Sequence, residues 1–344
     1  MKLSTVLLSS AALLVAGAAY AADLPAKKAA PAAAPTGCAA FGAGYIAIPG
    51  GDTCLKISGY VRSNNTYAAN QSRGTAPYSL AGAYGLQFDA QNQTEAGAVK
   101  STIFIENSAT TDAYVSLGGL TAGVADDQFD IGGGYNHSGD AYGPHIGQIA
   151  YSMAAGASTI TVAAVSARNS NLTTTYAASR PDLELGLVTT VGALKVNAGV
   201  VSHEVVGSSS GSAQGYAFIG KASFDAGVAS FMGYAAYANG ASKYLGGGAL
   251  VDSATDASDL SSGTVYQGEI DVPVGKNDSI GLFAESISSK TSDTNTTTSY
   301  SKTQYAAALK HTIAKGLFIR PEIYTETVSG TVANGAYIRI ERDF

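Results

Sequence analysis

From Leu55 to Phe344 the chain repeats one pattern, a run of roughly ten residues in which apolar and polar side chains alternate, closed by a Gly-, Ser- or Asn-rich break. A period of two sends successive side chains to opposite faces of a sheet, so the chain must build a sheet with two unlike faces. Leu55, Ile57, Gly59 and Val61 fall on one face, and Lys56, Ser58, Tyr60 and Arg62 on the other. Val99, Ser101, Ile103 and Ile105 oppose Lys100, Thr102, Phe104 and Glu106. Leu317, Ile319 and Ile323 oppose Phe318, Arg320, Glu322 and Tyr324. In the last run Ile338, Ile340 and Phe344 oppose Tyr337, Arg339, Glu341 and Asp343.

An open β-sandwich also alternates, with its apolar face as core and its charged face in water. Such a surface needs charge, and a soluble domain carries about 25% of it. Here charged residues are 13%, while Gly numbers 41 and Tyr 20. Tyr78–Asp89 and Ser158–Arg168 are almost uncharged on both faces. The chain also ends in a strand, whose unpaired edge is protected if it pairs with the first strand of a closed barrel. The reading is an all-β transmembrane antiparallel barrel. Its expected strands are 55–68, 79–91, 97–107, 112–117, 119–126, 147–154, 158–167, 184–191, 194–204, 213–224, 227–237, 264–272, 278–288, 301–312, 315–326 and 335–344. That is sixteen, an even number as a bacterial barrel requires, and enough to enclose a water-filled channel. A net charge of -6 argues against nonspecific nucleic-acid binding.

The N-terminus opens with Lys2, an apolar run from Val6 to Ala19, and Ala19-Tyr20-Ala21. This reads as a secretory leader over residues 1–21, with the mature chain starting at Ala22. The competing reading, an uncleaved membrane helix, meets a run that is short and lacks a charged stop-transfer flank. No later segment holds about 20 consecutive apolar residues, which excludes a helical membrane protein. An Ala/Pro/Lys-rich lead-in follows, in which Lys27 and Lys28 are expected to be solvated. Residues 22–54 form this lead-in and the loop between Cys38 and Cys54, and the barrel occupies 55–344. An exported pair of cysteines is expected to form a structural disulfide; two thiols and scattered histidines make no zinc site.

Short connections at Gly192-Ala193 and Ala314-Lys315 contrast with long ones at 239–262 and 289–300, the asymmetry of periplasmic turns and outer loops. Residues 126–148 have no strand period, and a loop of that length commonly has a function. Folded inward, it would narrow the lumen and set Asp127, Asp130 and Asp140 opposite the basic wall residues Lys56, Arg62, Lys100, Arg320 and Arg339. Glu106 and Glu322 share that wall and can pair with the cations. The competing reading is an outward, solvated loop. No catalytic motif is present: H-E-x-x-H and G-x-S-x-G are absent, and Gly132-Gly133-Gly134 lacks the Lys-Ser/Thr and helix of a phosphate loop. The chain is therefore expected to be no enzyme and to carry no cofactor and no metal, His137, Asp140 and His145 notwithstanding.

The stretch from Gly37 and Cys38 through Gly44-Tyr45-Ile46 and Ile48-Pro49-Gly50-Gly51-Asp52-Thr53-Cys54 to Arg62 closely resembles the start of mature porins of alphaproteobacteria, the Rhizobiales general porin family. The leader, Ala22–Lys28, Ala113–Gly123, His203-Glu204, Tyr234–Tyr244 and the closing Glu341–Phe344 resemble that family too. The resemblance implies a sixteen-stranded outer-membrane barrel, usually a homotrimer, set in outer-membrane lipid and lipopolysaccharide. It implies passive diffusion of small hydrophilic solutes and ions, with the third external loop folded into the lumen. Phe344 matches the aromatic end recognised by the outer-membrane assembly machinery. The chain departs from the family at Gly123-Val124-Ala125-Asp126, where a Gly-Arg pair is common. With only 20 Lys and Arg, the expectation is a weakly cation-preferring or nearly neutral channel. The alternatives are a largely closed structural or adhesion barrel plugged by 126–148, a solute-selective channel, and an outer-membrane hydrolase.

Overall fold

The computed structural model describes residues 37–69, 76–135, 145–167, 179–206, 212–245, 260–293 and 296–344. The leader, the start at Ala22, most of the lead-in, His137 and Asp140 lie outside them. After a two-residue strand β1 (Ile46–Ala47) come β2 (Cys54–Ala68), β3 (Tyr78–Thr94), β4 (Gly97–Glu106), β5 (Ala109–Leu117), β6 (Leu120–Asp126), β7 (His145–Ala155), β8 (Ser158–Val165) and β9 (Asp182–Val191). The second half comprises β10 (Leu194–Val206), β11 (Ser212–Asp225), β12 (Ser230–Asn239), β13 (Ser262–Pro273), β14 (Asp278–Asp293), β15 (Thr296–Ala314), β16 (Leu317–Val328) and β17 (Thr331–Asp343).

The strands from β2 onward pair antiparallel with their chain neighbours, and β17 returns to β2, from Gly335 opposite Ala68 to Asp343 opposite Tyr60. The sixteen strands β2–β17 thus close into a barrel with no free edge. The terminal residue belongs to the ladder, since Phe344 N donates to Gly59 O and Gly59 N to Phe344 O, each at 3.0 Å. All sixteen expected strands are present, most with ends shifted by a few residues. The main correction falls on 289–300, expected as a long loop. β14 and β15 extend into it, with Ser289 opposite Tyr300 and Thr291 opposite Thr298. The Ser/Thr run reads as a loop by polarity, yet Thr is a good strand former.

The two faces are as unlike as the alternation requires. Leu80, Ile149 and Ile323 are exposed by 75%, 63% and 67% on the outer wall, an apolar surface suited to lipid. The intervening residues turn inward. At one end the hairpins are tight: Gly192 and Gly316 take φ of 58° and 70°, where a Cβ would be strained. At the other end Asn107 and Ser108, both at positive φ, close β4 onto β5 in a two-residue turn. Cys38 and Cys54 are disulfide-bonded, tying the segment before the barrel to the start of β2.

Candidate functional site

The inward face is fixed by register. Lys56 and Arg62 on β2, Lys100 and Glu106 on β4, Arg320 and Glu322 on β16, and Arg339 on β17 all share it. Lys56 stands opposite the buried Asp89, Gln91 opposite Lys100, and Arg320 opposite Arg339. Most of these groups are engaged with one another. Arg62 Nη2 donates to Glu106 Oε1 at 2.9 Å, and its guanidinium lies over the Tyr60 ring at 4.4 Å. Tyr60 also donates its hydroxyl to Glu106. Lys100 Nζ is 3.0 Å from Asp89 Oδ1, which Thr102 Oγ1 reaches at 2.7 Å. Arg339 Nε donates to Asn64 Oδ1 at 3.0 Å. Glu322 is buried, whereas Lys56, Arg62, Lys100, Glu106, Arg320 and Arg339 are half-buried.

Between β6 and β7 the chain turns into the barrel. Asp127 is buried and accepts the Phe129 N–H at 2.8 Å, so it shapes the turn. Phe129 is fully buried against Val201, Ala217, Val265 and Ile287 of the inner wall. Gln128 N reaches Glu184 Oε2 at 3.2 Å, Lys221 Nζ donates to Gly132 O at 3.0 Å, and Gly133 N donates to Gln267 Oε1 at 3.1 Å. Tyr135 donates to Asp271 Oδ1 at 3.2 Å and lies edge-on to Phe283, while the Arg320 guanidinium sits 5.8 Å from its ring. The segment therefore crosses the inner wall from β9 to β16. Glycines make room for it: a Cβ on Gly199 would come within 3.1 Å of Gln128 O. At its root His145 Nδ1 stands 2.6 Å from Asp112 and 2.8 Å from Asp126.

A second inward segment was not legible in the sequence. Residues 239–262 were expected to form an outer loop, but Gly240–Leu245 turn inward, and Tyr244 and Leu245 are fully buried. Tyr244 donates to Asp182 Oδ2 at 2.5 Å, beside His203 Nδ1 at 2.8 Å from the same oxygen. Its ring meets Phe129 edge-on at 5.0 Å. The signal was the Tyr244-Leu245 pair, two large apolar residues inside a Gly- and Ser-rich stretch.

Together the two segments build a packed apolar cluster on the lumen side of β10–β14 and reach β9 through Asp182 and Glu184. Along β2–β5 and β16–β17 many inward residues stay half-exposed and polar. Asp126 and Asp130 remain accessible to solvent. Surrounding protein mass desolvates Asp130, and the nearby Asp126 and Asp127 carboxylates add to the effect, so its carboxyl is raised to about 6. Inward groups that the alternation contained but that were not singled out are Asp89, Asp112, Lys310 and Glu341. Asp112, Asp126 and His145 offer donor atoms within 4.8 Å of one another, the one such group among the described residues. Hydrogen bonds to the imidazole account for that arrangement.

A closed sixteen-stranded barrel with an apolar belt outside and a charged, loop-narrowed interior is an outer-membrane barrel of the porin class. The porin-subfamily profile matches residues 26–336, so the chain belongs to that family, an alphaproteobacterial outer-membrane porin family. The putative outer membrane protein y4fJ of Sinorhizobium fredii is 34% identical over 154 residues, 38% of this chain and 45% of that protein. Porin Omp2b of Brucella canis is 30% identical over 162 residues, 39% of this chain and 44% of that one. The chain thus spans just under half the length of the curated relatives it matches. Among solved structures, Vibrio cholerae OmpT lacking loop L8 superposes with a TM-score of 0.63 at 11% identity, covering 86% of this chain and 100% of that one. The anion-selective porin of Comamonas acidovorans gives 0.56 at 12% identity, covering 85% and 100%. At such identity these likenesses establish the fold alone.

Proposed function

We propose that the barrel is a water-filled channel for passive diffusion of small hydrophilic solutes and ions across the outer membrane. The observation that carries this reading is the half-exposed polar side of the lumen. There Lys56, Arg62, Lys100, Glu106, Arg320 and Arg339 line one wall, and Asp126 at the end of β6 and Asp130 of the inward segment add exposed carboxylates to the lumen. Such an arrangement supplies a wet path crossed by a transverse field. It needs no tight solute site, because a solute held tightly leaves slowly. Asp127 serves as a turn former more than as a charge in the path, and Glu322 is buried within the inner wall. Asp140 is assigned to the same loop on sequence grounds.

The leader over 1–21 is removed on export in this reading. The 22–54 lead-in ends in the disulfide at the mouth of the barrel. Phe344, paired with Gly59, presents the aromatic terminus to the assembly machinery. The apolar outer wall meets lipid and lipopolysaccharide, and part of it serves as the contact surface of a homotrimer. The test is swelling of liposomes loaded with the folded protein. Entry of arabinose, glucose and a trisaccharide should fall with size and show no saturation. Saturable entry of one sugar would replace this reading with a solute-selective channel. Absence of entry would favour a barrel closed by its two inward segments.

A further inference from the structure

On the inner wall Arg320 and Arg339 occupy directly opposed positions of β16 and β17. Because Ala308 faces Glu322 and His311 faces Ile319, Lys310 of β15 lies at the level of Arg320. Three cations thus sit side by side on three adjacent strands. Like charges directly opposed across a ladder repel and are destabilising. Each of these cations rests on an aromatic face: Lys310 Nζ over Phe318 at 4.5 Å, Arg320 over Phe318 at 5.5 Å and Tyr135 at 5.8 Å, and Arg339 over Tyr337 at 5.8 Å. Phe318 and Tyr337 are themselves buried, so they act as rigid supports that keep water off one side of the cations.

Arg339 and Lys310 keep donors to spare among the described residues. Arg339 meets Asn64 and Glu341, the latter at 3.8 Å, through Nε alone. Its two Nη groups, the fork that binds oxyanions in bidentate fashion, have no hydrogen-bond or ion-pair partner among the described residues. Lys310 likewise has a ring contact and no carboxylate partner among them. Glu322, two residues along β16 from Arg320, is buried, and Glu341 is already shared with Arg62 at 4.0 Å.

We propose that Lys310, Arg320 and Arg339 form an oxyanion subsite in the lumen, taking solutes that bear a carboxylate or phosphate. The proposal rests on the channel reading and adds a solute class to it: oxyanions pause at the Arg339 fork, while chloride and neutral sugars pass it. A spherical halide cannot use both arms of the fork, whereas a planar carboxylate or tetrahedral phosphate can.

The experiment measures single-channel chloride current in planar bilayers during titration with inorganic phosphate at constant ionic strength, then with acetate. Phosphate should reduce the current saturably. In Arg339→Lys, which keeps the charge and loses the fork, the half-blocking concentration should rise about tenfold, the scale of one lost charge-assisted bidentate contact. Arg339→Gln should raise it further. Lys276→Gln, in the exposed β13–β14 turn, should leave it unchanged. Because each half-blocking concentration is referred to the variant's own current, altered conductance does not obscure the result. Chloride current that falls without saturation, or an Arg339→Lys value equal to that of the unaltered protein, would overturn the subsite and leave the channel intact. Folded barrels that carry no current would overturn the channel reading as well.

Discussion

Asp127 and Asp130 lie three positions apart in one acidic segment, yet their surroundings give them different work. Asp127 is buried and holds the Phe129 N–H, while Asp130 stays in contact with the lumen. With its carboxyl raised to about 6, Asp130 is ionised above that pH and neutral below it. Lowering the pH from 7.5 to 5 should therefore remove one negative charge from the path and reduce cation preference, read as a reversal potential under a salt gradient. In Asp130→Asn the share of this pH response owed to Asp130 should vanish. An unchanged response in that variant would contradict its place in the path. Acidic composition alone could not separate the two residues, because the difference comes from which side of the turn each occupies.

At the scale of elements, the strands were legible because alternation is a local property that the closed sheet uses everywhere. Val61 faces lipid and Arg62 the lumen for the same reason that their neighbours do. The inward segments were harder to read. Residues 127–135 announced themselves by lacking a period, but 240–245 were hidden in a Gly- and Ser-rich stretch whose few apolar residues find their partners on distant strands. Phe129 and Tyr244 join the two segments to each other and to the wall. Phe129→Ala should cost about 3 kcal/mol of the packing that holds the inward segment. The expected outcome is a barrel that still assembles but has higher and noisier conductance in planar bilayers. Conductance identical to that of the unaltered protein would show that the segment is held by its polar contacts instead. The disulfide acts at the other mouth. Replacing Cys38 and Cys54 together with Ser should remove roughly 3 kcal/mol on the chain-entropy scale. Heat-dependent electrophoretic mobility should then shift at a lower temperature, and reductant should produce the same shift in the unaltered protein.

For the whole molecule, closure explains several features together. It gives the last strand a partner, leaves the outer wall apolar with few charges, and gathers the ionisable strand residues inside. The same closure made the inward identity of Lys56, Arg62, Lys100, Arg320 and Arg339 readable from phase alone. Pairing partners such as Glu106 for Arg62 depend on strand register, which the chain settles only on folding. The lumen is lopsided, packed along β10–β14 and polar along β16, β17 and β2–β5, so the permeant path should hug one wall. Single-channel recording of the purified, folded protein in planar bilayers tests this most directly. The expected result is discrete, stable openings whose reversal potential under a potassium chloride gradient lies near neutrality or slightly toward cations. Folded protein without openings would contradict an open path through the barrel.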